Sequence, residues 1–138
     1  MLLACQHCLQ LNRIADDRIN DSPVCGKCRK ALFSAYVSEL NSHNFNALVE
    51  RSDIPMVVDF WASWCGPCMN FAPTFAQAAH EFEPTFRFAK VNTEIEAALA
   101  QRFAIRSIPT LMIFKEGKLL AQQSGALPKS AFYQWLKT

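Results

Sequence analysis

Hydrophobic and polar positions follow two different regimes along this chain. Over residues 1–30 no regular apolar period develops and turn formers are frequent, among them Asn12, Asn20, Asp21, Ser22, Pro23 and Gly26. From residue 36 the pattern becomes strands alternating with helices. A short strand is expected at Tyr36–Val37, then a helix capped at Asn41 or Ser42 whose apolar stripe is Phe45, Leu48 and Val49. Met56 to Trp61 is apolar throughout except for Asp59, the pattern of a central strand covered on both faces. A helix should start at the Cys65 turn and run to Phe82, bent at Pro73. Phe86–Val91 reads as a strand and Glu94–Phe103 as a helix. Thr110–Phe114 and Leu119–Ser124 form a hairpin around Glu116-Gly117-Lys118. Pro128 suits the first turn of a last helix ending near Leu136. The sum is an α/β fold, a central sheet flanked by helices, preceded by a small N-terminal module. We expect the module over residues 1–30, a linker over 31–35 carrying Leu32 and Phe33 as docking residues, and the main domain over 36–138.

Composition narrows the class. The 138 residues are 51% apolar with eleven Phe, enough for a real core, and 19% charged, too few for a disordered chain. No apolar stretch reaches the ~18 residues that span a bilayer, so no membrane association is expected. The formal net charge of +2 sits entirely in the first 35 residues, which carry five basic and three acidic groups. Four thiolates and one zinc ion there would cancel it, so the charge does not point to nucleic acid. Met1-Leu2-Leu3-Ala4-Cys5 lacks the basic start and apolar region of an export signal, and a cytoplasmic, reducing setting is the expectation.

Disulfide frameworks are rare in such a setting, so the six cysteines call for another reading. They form three Cys-x-x-Cys pairs: Cys5/Cys8, Cys25/Cys28 and Cys65/Cys68. The third follows a strand and opens a helix. A cysteine at a helix N-terminus meets unpaired N–H groups and the positive end of the helix dipole, which favour its thiolate. Partial exposure would let a substrate disulfide reach it, and the spacing puts Cys68 one turn along, able to resolve a mixed disulfide with Cys65. Pro67, after Gly66, restricts the intervening backbone. Without that strand–helix context the pair could equally be half of a metal site.

The stretch Val57-Val58-Asp59-Phe60-Trp61-Ala62-Ser63-Trp64-Cys65-Gly66-Pro67-Cys68 resembles the active-site segment of thioredoxins. Ala72-Pro73, Ala89-Lys90-Val91-Asn92, Ile108-Pro109-Thr110, Gly117 and Gly125-Ala126-Leu127 follow in matching order, so the resemblance spans residues 36–137. It implies the thioredoxin fold, with Cys65 attacking and Cys68 resolving. It also implies that Asp59, a carboxylate too costly to bury without a task, relays a proton to and from Cys68. Lys90 would sit near that carboxylate; otherwise it is an ordinary solvated lysine. A cis Ile108–Pro109 bond is implied, leaving the Ile108 backbone free to pair with an extended substrate. Trp61 and Trp64 either wall the site and shield Cys68 or are simple packing aromatics. Gly125 either lowers the surface for a partner chain or is a turn glycine. His7, His43 and His80 show no triad-like or ligand-like grouping. Met69, where the family commonly has lysine, and Pro128, where a capping serine is frequent, depart from the pattern.

Cys5-x-x-Cys8 and Cys25-x-x-Cys28 are sixteen residues apart, within zinc-ribbon spacing. Four thiolates make a closed structural zinc site, and so short a segment needs the metal to fold. Disulfides or a second redox centre are the alternatives. The layout resembles the thioredoxin 2 subgroup of bacterial thioredoxins, which carries such an extension. The expected activity is therefore protein-disulfide reduction. No Gly-rich dinucleotide fingerprint is present, so no bound flavin or nicotinamide is expected, and a separate thioredoxin reductase would supply electrons. An oxidase or isomerase on the same fold would usually place His where Pro67 stands. A redox-gated, zinc-dependent binding or chaperone-like protein is the reading from another class.

Overall fold

The computed structural model describes residues 1–137; the last residue of the expected main domain, Thr138, lies outside them. The chain forms β1 (Leu2–Ala4), β2 (Leu11–Arg13), β3 (Ser38–Glu39), β4 (Met56–Trp61), α1 (Gly66–Phe82), β5 (Arg87–Asn92), α2 (Ala97–Arg102), β6 (Thr110–Lys115), β7 (Lys118–Ser124) and α3 (Lys129–Leu136). A π-helical segment, Asn46–Glu50, precedes β4. Five strands make one mixed sheet in the order β3-β5-β4-β6-β7, with β3, β5 and β4 parallel and β6 and β7 antiparallel. This is the α/β architecture that the sequence pattern predicts and the thioredoxin fold that the resemblance implies.

β4 lies in the middle of the sheet, and its side chains alternate between two cores. Met56, Val58 and Phe60 join Phe45, Leu48 and Leu99 on one side. Val57 joins Phe71 and Phe75 of α1 and Phe132 of α3 on the other. Phe132 meets Phe71 edge-on at 5.0 Å between centroids. Each such ring contributes several kcal/mol through burial. The β6–β7 turn places both Glu116 (φ 52) and Gly117 (φ 82) in the left-handed region, the conformation that a two-residue hairpin requires.

Several boundaries differ from expectation. The first strand of the large sheet begins at Ser38, not Tyr36, because Ala35 turns back (φ 61) and its N–H donates to Glu83 Oε1 at 3.0 Å. Pairing with β5 starts only at Ser38 opposite Ala89. Helix α2 starts at Ala97 rather than Glu94. Thr93 Oγ1 donates to the Trp61 carbonyl and Glu94 Oε1 accepts from Ser63, which pins residues 93–94 to the end of β4. Pro128 is the N-cap of α3 rather than part of its first turn. The helix expected after Asn41 is shorter and π-wound, although the Asn41 side chain does accept N–H bonds from His43 and Asn44.

The N-terminal segment has more structure than its turn-rich sequence foretold. β1 and β2 pair antiparallel, and Leu3, Ile14, Leu32 and Ile54 bury a small core around Cys5 and Cys25. It is fastened to the main sheet by polar bonds. Leu2 N–H donates to Asp53 Oδ2 at 2.6 Å, and Asp53 N–H returns a bond to the Leu2 carbonyl at 2.8 Å. Arg87, 2% exposed, donates from Nη1 to the Ala4 carbonyl at 2.9 Å. Its Nη2 has no hydrogen-bond partner among the described residues. Removing this guanidinium orphans the Ala4 carbonyl and opens a void, so Arg87→Ala should lower the unfolding free energy by about 3 kcal/mol. Urea unfolding measures this, and a loss below about 1 kcal/mol would mean that another contact holds the two parts together.

Candidate functional site

At the C-terminal end of β4 the chain makes one turn, Ala62–Trp64, and enters α1 with Cys65 as its N-cap. Pro67 sits in the first turn, where its missing N–H costs nothing. Cys65 and Cys68 are joined as a disulfide with their Cα atoms 5.3 Å apart. Cys65 Sγ accepts the Cys68 N–H at 3.2 Å, the bond that would stabilise its thiolate once reduced. It also lies 3.7 Å from the Ile108 carbonyl oxygen. The Ile108–Pro109 bond is cis. Gly125 N–H donates to the Pro109 carbonyl at 2.8 Å, which brings the loop after β7 beside the same turn. Gly125 has φ +90, and a Cβ built there would meet no atom within 4 Å, so the backbone conformation rather than crowding selects glycine.

Cys65 is only 4% exposed, less than the partial exposure expected of the attacking thiol, and Cys68 is 1% exposed. Both pack with Ala62, Trp61 and Ile108. The two tryptophans part company. Trp61 lies against the cysteines, whereas Trp64 is 71% exposed on the turn before the helix, so covering the disulfide falls to Trp61.

Behind Cys68 lies a cavity of about 310 Å³ with Asp59, Trp61 and Lys90 in its wall. Asp59 is 4% exposed and its Oδ1 has no hydrogen-bond partner among the described residues. Loss of hydration pushes its carboxyl up from 3.8 to about 7, with the Lys90 charge pulling the other way. Lys90 stands opposite Asp59 in the β4–β5 register. Its ammonium is 3.6 Å from Glu39 Oε1 and 5.1 Å from the centre of the Trp61 ring. The cavity is further lined by Met69, Ala72 and His80 of α1, none of which the sequence assigns to the site. Their spacing of three and eight residues marks one face of a helix, a signal that was available.

At the other end of the chain, Cys5, Cys8, Cys25 and Cys28 converge, with all four sulfurs within 4.8 Å of one another. None of them is in a disulfide. The two knuckles are built alike. Cys5 and Cys25 each accept the N–H of the residue two further on at 3.4 Å. Each carbonyl then takes the N–H of Leu9 or Arg29, both at φ 67. Sγ–Sγ distances of 3.6 Å for Cys5–Cys28 and for Cys8–Cys25 match the edge of a tetrahedron of thiolates about 2.3 Å from a central ion. Burial pushes the Cys5 thiol up to about 11, whereas N–H groups of its own knuckle bring Cys25 down to about 6.

A strand-to-helix turn carrying a cysteine pair, a buried carboxyl behind it and a cis-proline loop beside it define a thiol–disulfide oxidoreductase of the thioredoxin fold. Comparison with known proteins agrees. The thioredoxin family model matches residues 36–138, and the model described as "Thioredoxin 2, N-terminal", a zinc ribbon, matches residues 4–30. The chain is 40% identical over 136 residues to "Thioredoxin C-3" of Corynebacterium nephridii, covering 99% of this chain and 93% of that one. It is 44% identical over 94 residues to "Thioredoxin" of Haemophilus influenzae (68% and 88% of the two chains). It is 47% identical over 93 residues to "Putative thioredoxin 2" of Streptomyces coelicolor (67% and 68%). The chain belongs to the thioredoxin family and carries that family's thioredoxin 2 type of N-terminal zinc ribbon.

The Asp59 environment makes a quantitative prediction. Its folded-state pKa is raised, so between about pH 4 and pH 7 the folded chain holds a proton that the unfolded chain has lost. Stability therefore falls as pH rises through that window and stays reduced above it. Asp59→Asn removes the penalty. The oxidised variant should be more stable than the parent by about 3–4 kcal/mol at pH 9 and equal to it below pH 4. Urea unfolding at the two pH values checks both halves.

Proposed function

We propose that the chain is a protein-disulfide reductase in which Cys65 attacks and Cys68 resolves. The observation that carries this reading is the placement of Cys65 Sγ at the start of α1, where it accepts the Cys68 N–H. In the reduced chain the Cys65 thiolate attacks one sulfur of a substrate disulfide, forms a mixed disulfide and expels the other sulfur as a thiolate. Asp59 takes the proton from the Cys68 thiol, and the Cys68 thiolate attacks Cys65 Sγ. The second substrate sulfur leaves as thiolate. Both product thiolates gain protons from solvent, and the chain is left with the Cys65–Cys68 disulfide. Two electrons must then come from outside, and a separate thioredoxin reductase is the donor in this reading.

Gly66 and Pro67 hold the two sulfurs at bonding distance, and Lys90 limits the rise in the Asp59 pKa. The exposed Trp64, the Ile108 backbone and the open surface at Gly125 would meet the substrate, with Pro109 free of a competing N–H. Trp61 keeps water from Cys68. Residues 1–30 act as the metal-holding module, joined through 31–35 to the thioredoxin domain of 36–138. Cys5, Cys8, Cys25 and Cys28 hold one structural Zn²⁺, whose four thiolate bonds would hold the two knuckles together. The four unpaired thiols suit a reducing, cytoplasmic setting. Among the described residues no helix is long and apolar enough to cross a membrane.

Two outcomes test this. Cys65→Ser should lower insulin reduction by a thioredoxin reductase and NADPH at least about 100-fold, and Cys68→Ser should accumulate a mixed disulfide visible on a non-reducing gel. Turnover by Cys65→Ser near the parent rate would sink the mechanism. Mercurial titration with a chromogenic chelator should release one zinc per chain, and Cys25→Ser should release far less. Release of no zinc from the parent, together with fewer than four reactive N-terminal thiols, would assign those cysteines to disulfides.

A further inference from the structure

Ala35, Tyr36 and Val37 form part of the cavity wall, and Tyr36–Val37 is the stretch expected to be a strand. It is a strap rather than a strand, and it is tied down at both ends by one side chain. Gln6 lies between the knuckle cysteines Cys5 and Cys8. Its Nε2 donates to Ser34 Oγ, and its Oε1 accepts from Ser38 Oγ at 3.0 Å. Ser34 and Ser38 flank Ala35-Tyr36-Val37 directly. The start of the strap is also held by Glu83, whose Oε1 accepts the Ala35 N–H. Tyr36, 68% exposed, stands edge-on to His80 of α1 at 6.1 Å, so the two rings frame the cavity's outer rim.

We propose that Gln6 is a positioning residue which, through Ser34 and Ser38, fixes the cavity wall over Asp59 and Cys68 and so sets how far water reaches the carboxyl that exchanges a proton with Cys68. The inference rests on the relay role proposed for Asp59 and adds to it a mechanical link from the cysteine knuckle to the redox pair. Its physical basis is plain. Asp59 is 4% exposed and lies in the wall of the same cavity as Ala35, Tyr36 and Val37, so the strap's position bounds the water that can reach the carboxyl, and burial is what raises its pKa. The groups that face the carboxyl come from four elements. β5 presents Lys90, already paired with Glu39 of β3, and β6 presents only Leu111 opposite Asp59. From α1 come Cys68 and His80, and the strap itself brings Tyr36.

The test follows the Asp59 carboxyl directly by carbon NMR titration of the full-length, zinc-loaded chain, alongside the pH profile of insulin reduction. Gln6→Ala removes both tethers from the knuckle side. Ser34→Ala combined with Ser38→Ala removes them from the strap side without touching the knuckle. Both variants should move the Asp59 midpoint down by about half a unit to one unit as water enters the cavity, and the acid limb of the activity profile should move with it. Zinc is counted in both, and if Gln6→Ala loses metal the double serine variant alone decides. A midpoint within about 0.2 unit of the parent in either zinc-loaded variant, or an upward shift, overturns the proposal. Asp59→Asn separates the two layers. If its activity profile keeps the parent's acid limb, the relay reading fails, whereas the NMR midpoints still report on the strap.

Discussion

A strand buried on both faces can end only where the chain finds new partners for its backbone, and the end of β4 governs everything else in this molecule. Beyond Trp61 no sheet neighbour continues, and the chain closes one turn and starts a helix whose first N–H groups have no intrahelical carbonyl to meet. Those free donors are what make Cys65 more than a buried sulfur. The same strand carries Asp59 two residues before its end. Alternation then puts that carboxyl on the α1 side, with Val57 beneath it and Trp61 above. The placement of Cys65 at the helix start and the burial of the Asp59 carboxyl are therefore not independent features. Both follow from one central strand terminating under one helix.

The chain uses the same Cys-x-x-Cys spacing three times and obtains two kinds of chemistry, because backbone rather than spacing decides. In the knuckles the residue after the second cysteine turns left-handed, at Leu9 and at Arg29, so the chain leaves before a helix can form. The sulfurs of one knuckle then face those of the other, 3.6 Å apart across the pair. After Cys68 the backbone stays helical through Pro73 to Phe82. Its two sulfurs can meet only each other. Pro67 contributes by forbidding the knuckle geometry's N–H contact at the position where His7 and Lys27 donate to their cysteines.

Much of this was legible along the chain. The Met56–Trp61 run announced a central strand, and Asp59 stood out because a carboxylate had no reason to interrupt it. The β6–β7 hairpin was readable from Glu116-Gly117. What stayed hidden depended on contacts between distant segments. Arg87 looks like any polar residue at the start of a strand, and the carbonyl it meets in the interior belongs to Ala4, 83 positions away in sequence. Tyr36 and Val37 look like strand residues on local preference. Gln6 and Glu83 hold that stretch as a strap instead, and no local pattern encodes side chains that lie 32 and 48 positions from their partners. Of the core around Leu3, Ile14, Leu32 and Ile54 only Leu32 was expected, as a docking residue beside Phe33; the other members are scattered singly through turn-rich sequence and one comes from the main domain.

These long-range ties also bear on why a small cysteine-bound module would be kept on a catalytic domain of this kind. An appendage joined by a flexible tether would leave the sheet indifferent to it. Here β1 inserts Ala4 into the main apolar core, and its carbonyl accepts from Nη1 of the buried Arg87 guanidinium. Asp53, three residues before β4, exchanges bonds with Leu2 at the other edge of the same contact. The module thus touches the strand system at the root of both β4 and β5, the two strands that carry Asp59 and Lys90. A buried charge whose partner lies on another segment is costly to separate, so the two parts are expected to loosen together rather than one at a time. Metal binding at the knuckles would then stabilise more than thirty residues of ribbon. It would hold the N-terminal edge of the sheet against which the carboxyl and its lysine are set.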